Sequence, residues 1–192
     1  MVAGFLAVAL APVWGVALVA MVVDMLGCPR DRGRLLYRER RLSAGREFDL
    51  LKFRTLRESV LAEAAGHVRP HEAEVANLTW AGRRVLKPMY LDELPQLVNV
   101  LRGEMSLVGP RPWPRELVDR QVARGVDYRM HVPAGWTGPA QVSKGKELSF
   151  EELDLAYVER LRTTKGVRLV LTDLRILWQT VRTILRGEGL AY

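Results

Sequence analysis

The sharpest change of pattern along the chain comes first. From Met1 to Val23 no side chain is ionisable and the run is apolar; as a helix it is about 35 Å long, enough to cross a hydrocarbon core of about 30 Å. Pro12 falls in the middle of the run, where it removes a helix hydrogen bond and clashes with the preceding turn, so a kink is predicted. A kinked apolar helix can enter a bilayer and return on the same side. Residues 48–55 alternate roughly apolar and polar, the period of a short strand presenting Lys52 and Arg54 on one side. Residues 59–76 are polar and rich in Ala and Glu, with Gly66 and Pro70 as breakers, which predicts a helix, a loop and a second short helix. Leu94, Leu97, Val98 and Leu101 recur at i, i+3, i+4 and i+7, an amphipathic helix ended by Gly103. Pro95 is tolerated only in a first turn, which puts the start of that helix near Asp92. Two further helices follow: residues 151–162, with an apolar face of Leu153, Ala156, Tyr157 and Leu161, and residues 167–186, where Arg168, Arg175, Arg182 and Arg186 alternate with apolar residues and Trp178. The last has the form of a helix lying in a membrane interface, and a core-packed helix with snorkelling arginines fits the same pattern.

Composition narrows the class. The 192 residues are 48% hydrophobic and 27% charged, which describes a folded protein and excludes disorder, a collagen-like repeat or a multi-span membrane protein. A net charge of +7 calls for an anionic partner: nucleic acid, a lipid surface or a phosphorylated small molecule. The apolar run is followed by Arg30, Arg32, Arg34, Arg38, Arg40 and Arg41, which places this side on the cytoplasmic face by the positive-inside tendency. A cleaved secretory signal would need a basic n-region and a shorter apolar stretch, and Met25-Leu26-Gly27-Cys28 lacks the flanks of a lipoprotein processing box. Cys28 is the single cysteine, so neither an internal disulfide nor a zinc cluster is expected. His67 and His71 lie four apart, but Gly66 and Pro70 break the helix that would align them as metal ligands.

Three stretches carry candidate chemistry. Asp92 and Glu93 are adjacent carboxylates at the predicted start of a helix. They can serve as ordinary caps, or the exposed N–H groups can attract a phosphate on which a carboxylate pair holds Mg²⁺. Gly109-Pro110-Arg111-Pro112 is a stiff turn holding one cation between two prolines, suited to clamping an anion and equally to forming a corner with a solvated Arg. A second Gly/Pro loop runs from Val132 to Gln141 and leads into Ser143-Lys144-Gly145-Lys146. It could wrap a nucleotide, although no Walker or Rossmann glycine pattern occurs.

Taken in order, these stretches resemble a known family: the bacterial sugar transferases, small monotopic phosphoglycosyl transferases that load a phosphosugar onto a polyprenyl phosphate. The likeness runs through the Pro-broken apolar N-terminus, Lys52-Phe53-Arg54-Thr55, Leu91-Asp92-Glu93-Leu94-Pro95-Gln96-Leu97, and Met105 to Pro112. It continues through Gly135-Trp136-Thr137-Gly138 with Ala140-Gln141-Val142 and ends at Arg186-Gly187, covering essentially the whole chain. The resemblance implies a mostly helical α/β fold: a kinked re-entrant membrane helix over residues 1–29, then a small cytoplasmic catalytic domain with interfacial amphipathic helices over residues 30–192. It implies that Asp92 is a nucleophile that attacks the proximal phosphate of a UDP-sugar and releases UMP, and that Glu93 is a Mg²⁺ ligand. Polyprenyl (undecaprenyl) phosphate then takes the phosphosugar, as the first membrane step of a bacterial exopolysaccharide, O-antigen or glycoprotein pathway. Lys52, Arg54, Thr55, Arg111, Gln141, Lys144 and Lys146 are implied as substrate-binding residues. Membrane lipids are implied partners at the inner membrane, with no nucleic acid, and a homodimer is allowed.

The chain also departs from the family pattern. A Ser-Pro pair commonly breaks the re-entrant helix, and here it is Ala11-Pro12, so the hydroxyl that could satisfy a freed backbone group is missing. A usual Arg and Ser before the carboxylate pair appear as Lys87 and Tyr90. A usual Asn-Gly-Arg-Asn reads Ser143-Lys144-Gly145-Lys146, where a lysine offers a point charge without the bidentate geometry of arginine. Two rival readings stand beside the resemblance. One is a catalytically inactive membrane-tethered basic scaffold or nucleic-acid-binding module, for which the chain supplies charge but no stacking platform or known motif. The other is direct transfer in a ternary complex, with Asp92 and Glu93 holding only the metal.

Overall fold

Pro12 divides the apolar N-terminal run into two helices, α1 (Val2–Ala9) and α2 (Ala11–Gly27). Their axes bend by 57° across Leu10. In the first turn of α2 the missing N–H of proline costs nothing, and Trp14 N–H returns to Leu10 O at 3.0 Å. The predicted kink is therefore present. The computed structural model describes residues 2–63, 71, 74–143 and 149–186; His67, Lys144 and Lys146 lie outside them. Among the described residues no single helix is long and apolar enough to cross a membrane, whereas α1 and α2 together meet that test of length and composition.

The described chain forms two compact units, residues 1–39 with 51–98 and residues 40–50 with 99–191. Within the first unit α2 shares a core with later segments of the chain. Ala17 and Met21 are buried against Phe53, Ala81, Leu86, Leu91 and Leu94, and Trp14 meets the Phe53 ring edge-on at 5.5 Å. On the other side of the same helix Val16, Val19, Val22 and Leu26 are exposed. One face of α2 is thus protein core and the other an unpaired apolar surface.

Strands β1 (Leu36–Ser43) and β2 (Arg46–Phe53) form a two-stranded sheet. Only Ala44 and Gly45 join them, which makes the pair an antiparallel hairpin. Both joining residues have positive φ, 46° and 75°, the geometry of a type I′ turn. Just past β2 the chain buries Arg54, 1% exposed. Its guanidinium donates to Arg34 O at 2.6 Å, Leu56 O at 2.7 Å and Asp31 O at 2.5 Å. Carboxylates assist: Glu58 lies 3.7 Å from Arg54 Nε. Downstream come α3 (Glu58–Glu63), a 3₁₀ turn at Val75–Asn77 and a π-helical turn at Gly82–Leu86; the expected loop and second short helix lie mostly outside the described residues. That π-turn lies against the end of the strand. A Cβ on Gly82 would come within 2.5 Å of Thr55 O and 2.9 Å of Thr55 Cα, so only glycine allows the approach.

The second unit is built around a parallel pair of short strands, β3 (Ser106–Val108) and β4 (Gly135–Thr137), in the register Ser106 to Gly135 and Val108 to Thr137. Four helices belong here or lead in: α4 (Gln96–Leu101), α5 (Arg115–Ala123), α6 (Pro139–Val142) and α7 (Phe150–Thr163), followed by α8 (Val167–Arg186). Ser149 and Glu152 close a reciprocal capping box at the start of α7. The buried face of α7 is Asp154, Tyr157 and Val158, while Ala156 is exposed. This turns the helix away from the expected Leu153/Ala156 face because Asp154 is drawn into an ion pair. Arg129 Nη2 meets Asp154 Oδ2 at 2.6 Å, with both side chains buried. The same guanidinium donates to Gln121 Oε1 at 3.1 Å and to the carbonyl of Arg111, and it stacks over the Trp113 ring at 4.0 Å. Burial raises the pKa of Asp154, opposed by Arg129; burial also pushes the Tyr128 hydroxyl, which donates to Asp154, up to about 12.

Two stability outcomes follow from these contacts. Ala44→Asn should raise the stability of the protein by about 0.5–1 kcal/mol in a denaturant titration, since Asn accepts the left-handed backbone that Ala strains to adopt. Arg129→Met should lower it by about 3–5 kcal/mol, because Asp154 is left buried without its cation. A loss below about 1 kcal/mol would mean that the pair is not sealed from water.

Candidate active site

The carboxylate pair sits where the sequence pattern places it but in a tighter backbone than expected. Leu91–Glu93 form a 3₁₀ turn and α4 begins only at Gln96. Pro95 has no N–H to give to Leu91 O, and that carbonyl is taken instead by Leu94 N–H at 3.1 Å, an i to i+3 bond. The dyad thus precedes the helix rather than capping it, and a one-turn-and-a-half helix contributes little dipole. Tyr90, immediately before the turn, has φ 54°, a conformation costly for a bulky side chain. Asp92 is 5% exposed and lies between Leu91 and Leu94, both members of the cluster that holds Ala17 and Met21 of α2.

The segment 52–55 meets the same cluster through Phe53. Its polar members differ in what they can do. Lys52 Nζ lies 3.5 Å from Glu39 Oε2, with both side chains largely covered. Thr55 is buried and its carbonyl accepts Thr79 N–H at 2.8 Å. Arg54, expected at the substrate, is spent on the protein itself. Three donors end on main-chain carbonyls and burial lowers its pKa against the pull of Glu58 and Asp31, so in this structure it ties strand to loop and presents no cation outward.

In the second unit the other two motifs come together by backbone contact. Gly109 N–H donates to Thr137 O at 2.9 Å and Gly135 N–H to Pro110 O at 2.9 Å. A Cβ on Gly109 would come within 2.7 Å of Pro133 O, and Cβ atoms on Gly135 and Gly138 would collide with the Gly109 backbone. Three glycines in two loops are therefore required for one close approach. Arg111 leaves this junction between Pro110 and Pro112, its own carbonyl held by Arg129. Nearby in sequence, Gln141 has both amide atoms buried without a hydrogen-bond partner among the described residues. A primary amide so placed is ready for a polar ligand group or water.

Several residues that hold these segments within their own units gave no sign as chemistry in the sequence. Asp24 on α2 accepts Ala81 N–H at 2.9 Å and Asp31 accepts Trp80 N–H at 3.1 Å. The signal that could have found Asp24 is its position as a lone carboxylate in an apolar helix. Arg129 and Asp154 carry no such mark.

Comparison with known proteins shows the family. The sequence matches the bacterial sugar transferase family over residues 1–187. It is 38% identical over 149 residues to EpsL of Bacillus subtilis (strain 168), described as an uncharacterized sugar transferase, covering 76% of this chain and 67% of that protein. It is 32% identical over 161 residues to a UDP-N-acetylgalactosamine-undecaprenyl-phosphate N-acetylgalactosaminephosphotransferase of Aeromonas hydrophila, covering 82% of this chain and 37% of the relative. A UDP-glucose:undecaprenyl-phosphate glucose-1-phosphate transferase of Caulobacter vibrioides is 35% identical over 172 residues, 82% of this chain and 59% of the relative. The chain therefore spans only part of the length of these last two relatives. The match to the family extends through both units and includes the carboxylate turn, the Gly-Pro-Arg-Pro corner and the glycine junction, and the chain belongs to the bacterial sugar transferase family.

Proposed function

We propose that the chain transfers a phosphosugar from a UDP-sugar to a polyprenyl phosphate through a covalent intermediate on Asp92. The observation that carries this reading is the buried 3₁₀ turn that sets Asp92 between two leucines packed on α2, so that a carboxylate adjoins the apolar helix that would meet the lipid. The names of relatives, which act on undecaprenyl phosphate, support the same acceptor class. A carboxylate oxygen of Asp92 attacks the phosphorus attached to the sugar. The bond from that phosphorus to the bridging oxygen breaks, UMP leaves with the electron pair, and an acyl phosphate remains on Asp92. An oxygen of the polyprenyl phosphate then attacks the same phosphorus and returns the carboxylate.

Attack by one anion on another needs its charge met. Arg111, fixed between two prolines, is suited to the diphosphate, and the unpaired amide of Gln141 to a neutral polar group of the donor. Lys52 can contribute once it exchanges Glu39 for substrate, and Lys144 and Lys146 belong to the same proposal. Arg54 acts by holding the strand. Adjacent carboxylates suit Mg²⁺, which takes one or two protein carboxylates and fills its shell with phosphate oxygens and water; no cluster of three or more His, Cys, Asp or Glu side chains able to hold a metal occurs among the described residues. Glu93 would hold the ion, which when bound supplies positive charge to the diphosphate. The apolar outer face of α2 and the exposed stripe of Val170, Leu171, Leu174, Trp178 and Val181 on α8 would face lipid, with the remainder on the cytoplasmic side.

Release of UMP from a panel of UDP-sugars, with Mg²⁺ and polyprenyl phosphate, tests the reading. Asp92→Asn should lower turnover by about 10³-fold or more, since a neutral amide does not attack phosphorus; a tenth of the activity remaining would remove Asp92 as nucleophile. Double-reciprocal plots should give parallel lines, and intersecting lines would favour direct transfer. Arg111→Ala should reduce kcat/KM with the melting transition unchanged, and an unaltered kcat/KM would leave that loop a purely structural corner.

A further inference from the structure

A cavity of about 580 Å³ opens at the C-terminal end of α2, lined among others by Val23, Asp24, Cys28, Arg57, Trp80 and Arg83. None of the residues assigned to phosphosugar transfer lines it. Its two carboxylates are turned into the protein. Asp24 is 6% exposed and accepts Ala81 N–H at Oδ2, its Oδ1 being sealed from solvent without a hydrogen-bond partner among the described residues, while Asp31, 1% exposed, accepts Trp80 N–H and the Nε–H of Arg57 at 3.0 Å. What the cavity offers an occupant is guanidinium. Arg57 gives Asp31 only its Nε, so its two terminal nitrogens have no partner among the described residues, and exposed Arg83 makes no ion pair there. Beside these cations stand apolar walls: Val23, Val75 and the Trp80 ring, each about half exposed.

That combination has a direction. The outer face of α2 is apolar through Val19, Val22 and Leu26, and the helix stops at Gly27 just before Arg30, Arg32 and Arg34. If α2 lies in lipid, its end and the cavity lie at headgroup depth, where Trp is favoured and anionic leaflets attract arginine. Planar guanidinium groups bind phosphate oxygens in pairs. A soluble phosphate would satisfy the cations and leave the walls uncovered, whereas a phospholipid covers both. We propose that this cavity binds the phosphodiester headgroup of an anionic membrane phospholipid, its phosphate between Arg57 and Arg83 and its glyceryl end against Val23, Val75 and Trp80. The site is separate from the acceptor chemistry at Asp92, and it rests on the membrane reading above.

Cys28 is the chain's only cysteine and lines the cavity, so the protein carries its own reporter. The full chain is placed in nanodiscs of phosphatidylcholine alone or with phosphatidylglycerol, and the rate of Cys28 alkylation by N-ethylmaleimide, an uncharged reagent, is measured. Occupancy should slow alkylation by about fivefold or more in the anionic discs, and Arg83→Gln, a change at an exposed position, should remove most of that protection. Equal rates in the two lipids overturn the proposal. So does slowing that survives Arg83→Gln, because a negative surface also lowers the thiolate fraction without any site. Inorganic phosphate or a UDP-sugar giving the same protection in phosphatidylcholine discs would make the cavity a soluble-anion site and overturn the lipid assignment. Failure of the chain to enter discs of either lipid would overturn the membrane reading itself, and is distinguished from failure of the site by being scored before any alkylation.

Discussion

Asp24 sits on α2 among valines and methionines, and a carboxylate in such surroundings is tolerated only where protein meets its hydrogen-bonding demand. Here one oxygen, Oδ2, accepts the N–H of Ala81, while Oδ1 is buried without a hydrogen-bond partner among the described residues. The bond fixes the turn before the π-helical segment, whose next residue, Gly82, is pressed against Thr55. Thr79 N–H closes on Thr55 O, and Lys87 N–H reaches back to Gly82 O at 3.0 Å, the i to i+5 bond of a π-turn. From there Tyr90 turns the chain through its left-handed conformation into Leu91, Asp92 and Glu93. A continuous series of main-chain contacts thus runs from the apolar helix to the carboxylates, and the orientation of each step depends on the one before.

The second unit reaches rigidity by other means. Its loops are held by the absence of side chains at Gly109, Gly135 and Gly138 and by one planar cation beneath them. Arg129 reads three partners at once, a carboxylate, an amide and a carbonyl, while its face lies on an indole. Lysine could match the charge but not the fork or the stacking. The Gly-Pro-Arg-Pro corner is therefore stiff from within, through its prolines, and supported from below.

The sequence pattern was most legible where burial is one-sided and long. The broken apolar run, the strand before Phe53, the helix from Val167 to Arg186 and the stop at Gly103, with φ 73°, all follow from period and punctuation. Short elements were not legible. β3 and β4 have three residues each and their paired residues lie 29 apart in the chain, so nothing local announces their pairing. The carboxylate turn escaped because a single missing N–H, that of Pro95, changes which carbonyl is free. Arg54 and Arg129 show the deeper difficulty: an arginine in a motif looks alike in sequence whether its donors end on phosphate or on the protein's own carbonyls. Asp92, Glu93, Arg111 and Gln141 are candidates that resemblance and turn chemistry together single out, whereas the contacts of Asp24 and Asp154 are set by partners far away in the chain.

The hairpin tip has a consequence for the order in which the protein can form. Residues 40–50 belong with residues 99–191: Leu42 N–H donates to Trp113 O, Gly45 N–H to Arg129 O, and Ser43 Oγ accepts Ala134 N–H. A ribosome moving at roughly 5–20 residues per second finishes these partners several seconds after the tip has emerged. By then α2 and residues 51–98 are already made, so the first unit can close around its apolar helix while the tip waits with unpaired amides. Synthesis thereby separates burial of the lipid-like segment from completion of the second unit, and the interval between them is when a chaperone would find an edge to hold.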